Sequence, residues 1–182
     1  LEAFCVDGYH PMADGIALEG LRLVHDWLPA AVEDGRNLEA RAHMMAAATM
    51  GATAFQKGLG AIHSLSHPVG AVFDTHHGLT NAVFTPYVLE FNRTAIEDKM
   101  TLLGRFIGLK KPSFQAVLDW TLKLRREFNI VHTAAELGVD PDRLDDISEM
   151  AAKDPTAPTN PVPAGVTEMR GILNAAMEGR VG

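Results

Sequence analysis

At 182 residues, with 47% apolar and 21% charged side chains, the chain fits one domain with a substantial core, which excludes a disordered tail. Its formal charge of −7 and the lack of any Lys/Arg cluster argue against nucleic acid or an anionic membrane as partner. One cysteine, Cys5, permits no internal disulfide and fits a reducing, cytoplasmic setting. The longest apolar-looking run, Met44 to Phe55, is too short to span a bilayer and is interrupted by Thr49 and Thr53.

In chain order, Ile16, Leu21, Val24, Trp27 and Leu28 repeat at helical spacing and predict a helix over Met12 to Val32. Pro29 should bend or interrupt it near its end, and Asp34-Gly35 makes a turn. Asn37 caps a long helix from Leu38 to Lys57, with Leu38, Met45, Ala52 and Phe55 expected on its inner face. Gly58 and Gly60 end it. A further helix follows from Leu79 to about Phe91, with Pro86 as a kink.

Thr94 and Glu97 read as a capping box before Ile96, Met100, Leu103 and Ile107, and Gly108 stops that helix. Ser113 caps a helix whose apolar residues are Phe114, Val117, Leu118, Leu122 and Phe128. The run Lys123-Leu124-Arg125-Arg126-Glu127 reads as its solvated face. Thr133 and Glu136 make a second box ahead of Gly138, and Asp140-Pro141 starts a helix containing Leu144, Ile147, Met150 and Ala151. After the proline-rich bend from Asp154 to Pro163, a last helix runs from about Val166 to Glu178. No alternating strand is legible. The expectation is a single all-α, helical bundle-like domain over 1–182, with roughly seven to nine helices counted from caps and breakers.

The most informative stretch is Gly58 to Asn81, GLGAIHSLSHPVGAVFDTHHGLTN, which holds four of the eight histidines. His63 and His67 are four apart, so on a helix both imidazoles look into one space. His77 follows ten residues later. Neutral imidazole nitrogen, completed by carboxylate oxygen, suits borderline cations such as zinc and ferrous iron. Spacing alone leaves a metal site and ordinary structural histidines both open. The adjacent His76 and His77 leave open which of the pair faces inward.

This stretch resembles the signature of the iron-containing (group III) alcohol dehydrogenase family, here Gly60, His63, His67, Gly70, His77, Gly78 and Asn81. The segments ADGIALEGLRLV, EARAHMMAAATMGATAFQKGLG and AELGVD are similar to the family as well, so the likeness covers essentially the whole chain. It implies the helical C-terminal domain of a dehydroquinate synthase-like, two-domain enzyme. The histidine stretch lacks Lys and Arg, which favours the alcohol dehydrogenase branch over dehydroquinate synthase.

The resemblance implies metal ligation by His63 and His77, since their fourteen-residue interval matches the family's two ligand histidines. It gives His67 a catalytic, proton-relay role near substrate. The implied cofactors are a divalent metal, Fe2+ or Zn2+, and NAD or NADP. In such enzymes the metal polarises the oxygen of a small-molecule alcohol or aldehyde while nicotinamide exchanges hydride. The family's two further ligands, in a D-x-x-x-H pattern, and its N-terminal dinucleotide-binding domain would precede Leu1. The chain is therefore expected to be a portion of a longer enzyme, inactive alone and prone to form a homo-oligomer through apolar surface left uncovered. The competing expectation is a non-catalytic all-α module that keeps a dehydrogenase-like core and acts through partner contacts.

Overall fold

The computed structural model describes residues 1–182 and contains nine α-helices, three short 3-10 turns and no strand. The helices are α1 (Glu2–Cys5), α2 (Pro11–Glu33), α3 (Leu38–Ala54), α4 (Ala61–Phe73), α5 (His77–Phe91), α6 (Arg93–Phe106), α7 (Phe114–Glu127), α8 (Leu144–Ala152) and α9 (Val166–Glu178). The all-α expectation holds, and so does the number of helices. No helix is long and apolar enough to cross a membrane. The residues group into two compact units: Leu1–Gly58 with Glu97–Val117, and Leu59–Ile96 with Leu118–Gly182.

In the first unit α2 and α3 pack along their lengths. His10 Nδ1 caps α2 by accepting from Ala13 N at 3.2 Å, and Asn37 Oδ1 caps α3 by accepting from Ala40 N at 3.1 Å. Pro29 lies inside α2, which continues past it to Glu33.

The inner face of α3 differs from the expected one. Ala40, Ala47 and Ala54 are buried, while Leu38 and Met45 are 79% and 72% exposed and Ala52 and Phe55 face solvent. The cause is the partner helix. A Cβ on Gly20 of α2 would stand 3.2 Å from Met50 Cβ and 3.5 Å from the Ala47 carbonyl, so the backbones approach too closely for large side chains between them.

The buried α1 segment is clamped by two ammonium groups. Lys57 Nζ reaches the Phe4 carbonyl at 3.5 Å and Asp14 Oδ1 at 2.5 Å, and Lys99 Nζ reaches the Cys5 and Val6 carbonyls at 2.9 and 2.5 Å. These cations satisfy carbonyls that a helix C-terminus leaves without partners. Burial pushes the Cys5 thiol up to about 12, which removes it as a nucleophile.

Helix α6 begins at Arg93, so Thr94 lies inside its first turn instead of capping it. The Asn92 carbonyl accepts from Ala95 N and Ile96 N and starts the helix in its place. Gly108, at φ +76°, ends α6, and Ser113 Oγ caps α7 through Ala116 N.

The second unit holds the core that positions the histidines. Ile62, Leu65 and Val69 of α4, Phe84 and Val88 of α5, Ile147 and Ala151 of α8, and Met169 and Leu173 of α9 form one buried cluster. The apolar residues of α4 recur at three- and four-residue intervals, so its histidine face turns away from that core. Asn160 ties the unit's loops together. Its Oδ1 accepts from Ala61 N, the first residue of α4, and from Asn92 Nδ2, while its Nδ2 donates to Asn92 Oδ1 and the Val162 carbonyl. Thr133 and Glu136 form the expected box, Thr133 N donating to Glu136 Oε2 and Glu136 N to Thr133 Oγ1.

One charge departs from expectation. Arg125 is not part of a solvated face but only 3% exposed, and its guanidinium donates to the Val83, Val131 and His132 carbonyls. Tyr87 Oη also donates to the His132 carbonyl. Helix phase turns Arg125 inward while Arg126 stays exposed.

Candidate metal centre

Gly60 is the residue before α4, and the helix then brings His63 and His67 to the same face one turn apart. His77 is the first residue of α5, which packs beside α4. The three rings form a compact triangle, with centroids 5.3 Å apart for His63–His77, 5.6 Å for His67–His77 and 5.8 Å for His63–His67. His63 is partly buried, whereas His67 and His77 face solvent. The structure brings together all three histidines singled out by their spacing.

His76 has a different task. Its Nδ1 accepts from Leu79 N at 3.3 Å and caps α5. A Cβ on Gly78 would sit 3.3 Å from the His76 ring, so glycine there leaves the capping imidazole in place. This separates the two adjacent histidines: one closes the helix end and the other joins the cluster. His10 caps α2, and His43 stacks on Trp27 at 4.2 Å; neither lies in a histidine cluster.

The centre of the arrangement is marked by Asn81. Its Nδ2 lies 3.0 Å from His77 Nε2 and 3.4 Å from His63 Nε2, so both ring nitrogens point at one amide hydrogen-bond donor. An amide NH2 donates and does not accept, so with Asn81 in this orientation Nε2 is the accepting nitrogen of each ring and a neutral ring carries its proton on Nδ1. The other end of the amide, Oδ1, is buried without a partner.

Partial desolvation by its neighbours, followed by the charges of His63, His67 and His76, holds the exposed His77 ring below the usual imidazole range, which keeps its lone pair available. Two convergent neutral Nε2 atoms are a donor pair that zinc or ferrous iron accepts. The residues present fit a divalent cation. They fall short of a closed shell, since no three His, Cys, Asp or Glu side chains close around one point.

Two residues at this site were absent from the sequence reading as site residues. Asp154, just past α8, places Oδ2 2.8 Å from His67 Nδ1, and Thr156 donates to Asp154 Oδ1 through both its backbone N–H (2.9 Å) and its hydroxyl (2.6 Å). Burial alone would raise the Asp154 carboxyl. The Thr156 hydroxyl and N–H and the His67 ring outweigh it and hold the group below the ordinary carboxylate range. The 87-residue separation of Asp154 from His67 gave no local pattern to find it by.

The chain is an all-α fold with an HxxxH face joined by a histidine from the next helix, and comparison with known proteins says which family it belongs to. The profile of the Fe-containing alcohol dehydrogenase family, C-terminal, matches residues 1–177, and the chain belongs to that family. It is 37% identical to a 4-hydroxybutyrate dehydrogenase of Cupriavidus necator and 30% identical to an NAD-dependent methanol dehydrogenase of Bacillus methanolicus, each alignment covering 97% of this chain and 48% of the relative. Among solved structures a 1,3-propanediol oxidoreductase superposes with a TM-score of 0.91 at 29% identity, over 97% of this chain and 48% of that one. The chain thus spans about half the length of the curated relatives it matches.

Proposed function

We propose that this chain is the metal-holding helical portion of an NAD(P)-dependent alcohol dehydrogenase that interconverts an alcohol with its aldehyde or ketone. In this reading His63 and His77 are two ligands of a divalent cation, iron or zinc. The remaining ligands and the nicotinamide-binding domain belong to the further length of chain that the relatives possess. The observation behind it is the convergence of both Nε2 atoms on Asn81 Nδ2.

When bound, such a cation supplies Lewis acidity toward the substrate oxygen. The chain's own residues prepare for it. Asn81 keeps His63 and His77 in the Nδ1–H tautomer, so neither must exchange a proton before offering Nε2. His67, at the third corner of the triangle and exposed, would accept or release the substrate's proton at its Nε2.

Calorimetric titration with zinc and with anaerobic ferrous iron tests the ligand assignment. The expected outcome is one metal per chain, with affinity falling by at least ~tenfold in both His63→Ala and His77→Ala. Unchanged metal binding in both variants would overturn it.

A further inference from the structure

His67 has one hydrogen-bond partner, and it answers a question the sequence leaves open: which ring nitrogen holds the proton. Its Nδ1 faces Asp154 Oδ2 at 2.8 Å, and the Asp154 side chain is only 11% exposed. A carboxylate accepts and does not donate, so Nδ1 is protonated, and in the neutral ring Nε2 is the nitrogen that keeps its lone pair. The carboxylate is itself held, because Oδ1 receives the Thr156 N–H and hydroxyl and the same hydroxyl lies 2.8 Å from Ser64 Oγ on α4. Ser64 Oγ in turn donates to the Gly60 carbonyl at 2.9 Å. The chain of contacts therefore leaves α4 at His67 and returns to it at Ser64. One rigid helix fixes both ends.

We propose that Asp154 is a positioning residue that locks His67 in the Nδ1–H tautomer, with its Nε2 lone pair turned to the open face of the histidine cluster. The catalytic meaning of that lock rests on the dehydrogenase reading above, but the lock itself is a property of the chain without metal. It brings His67 into line with His63 and His77, whose Nε2 atoms are likewise acceptors. A ring with its proton on Nε2 could only donate into the site. Locked by Asp154, a neutral His67 can only accept, which matches the direction of proton flow when an alcohol is oxidised.

The geometry also says what an amide at this position does. Thr156 N–H needs an acceptor, so in Asp154→Asn the side-chain oxygen stays toward Thr156 and the NH2 group turns to His67 Nδ1. Nδ1 must then accept, and the ring proton moves to Nε2. The fold stays and the tautomer inverts, the same consequence that an aspartate-to-asparagine change has beside a catalytic histidine in serine proteases.

The test is a two-dimensional 15N–1H spectrum of the histidine side chains in the metal-free 182-residue chain, at a pH where the rings are neutral. His67 is assigned by its loss in His67→Gln. The expected spectrum has Nδ1 protonated and Nε2 unprotonated, the two exchanging places in Asp154→Asn and staying put in Thr156→Val, which keeps the carboxylate and the backbone N–H. A wild-type His67 protonated mainly on Nε2 would overturn the proposal, as would an unchanged pattern in a D154N chain whose circular dichroism is native. Should D154N fail to fold, the wild-type spectrum alone decides. Metal affinity is read separately, so unchanged metal binding in His63→Ala and His77→Ala beside an Nδ1–H ring would overturn the ligand assignment and uphold the lock.

Discussion

Single side chains in this protein are decided by what lies opposite them, and Arg125 shows how large the effect is. A guanidinium at 3% exposure with no carboxylate partner is tolerated because three backbone carbonyls solvate it. Those carbonyls belong to α5 and to the segment after α7, so the cation joins parts of the chain that share no helix. Replacing it leaves buried acceptors without donors. Arg125→Met should lower the unfolding free energy by about 2–3 kcal/mol, the scale of lost hydrogen bonds to a charged group. Arg126→Met, one residue on and exposed, should stay within about 0.5 kcal/mol. Urea unfolding of both variants checks the contrast, and equal losses would mean that the buried position confers nothing.

Most helix ends were legible, and so were the faces of α6 and α7, where Ile96, Met100, Leu103, Phe114, Val117 and Leu118 are buried as expected; the face of α3 was not, for a physical reason. A cap is a contact over three residues, so Asn37, Ser113 and the Thr133–Glu136 box announce themselves locally. Thr94 failed because a second signal, the Asn92 carbonyl, had already begun the helix upstream. The face of α3 depends instead on its partner. Large and small apolar residues surround the helix on all sides, and Gly20 of α2 selects the alanine side.

A test of that selection needs one change on each side of α3. Gly20→Val should destabilise by about 1–3 kcal/mol through overpacking against Met50 and the Ala47 carbonyl. Leu38→Gln and Met45→Gln should shift stability by no more than about 0.5 kcal/mol, since both side chains already stand in solvent. Thermal melts that ranked Leu38 as the costlier site would restore the inner face expected from sequence.

At the scale of the whole molecule, the site divides by sequence distance. His63, His67 and His77 were readable because they fall within fifteen residues, on one helix and the start of the next. Asp154 was not, since only the packing of α8 against α4 brings it to His67. The same division sets what the chain can do alone. On the proposed reading it supplies two ligand nitrogens, from His63 and His77, and a proton acceptor, His67, while its 182 residues contain no strand on which a dinucleotide fold could be built. The metal-loaded chain mixed with alcohol and NAD should therefore produce no NADH above background. Joined in place of the matching 48% of the Cupriavidus necator relative, it should restore oxidation of that enzyme's own substrate, because 97% of this chain aligns there at 37% identity. His63→Ala in the chimera should abolish that activity while the chimera remains folded, since His63 points to the histidine cluster and Asn81 and not to the buried core of α4. Turnover by the isolated chain would refute the division of labour, and an active chimera carrying His63→Ala would refute the ligand assignment.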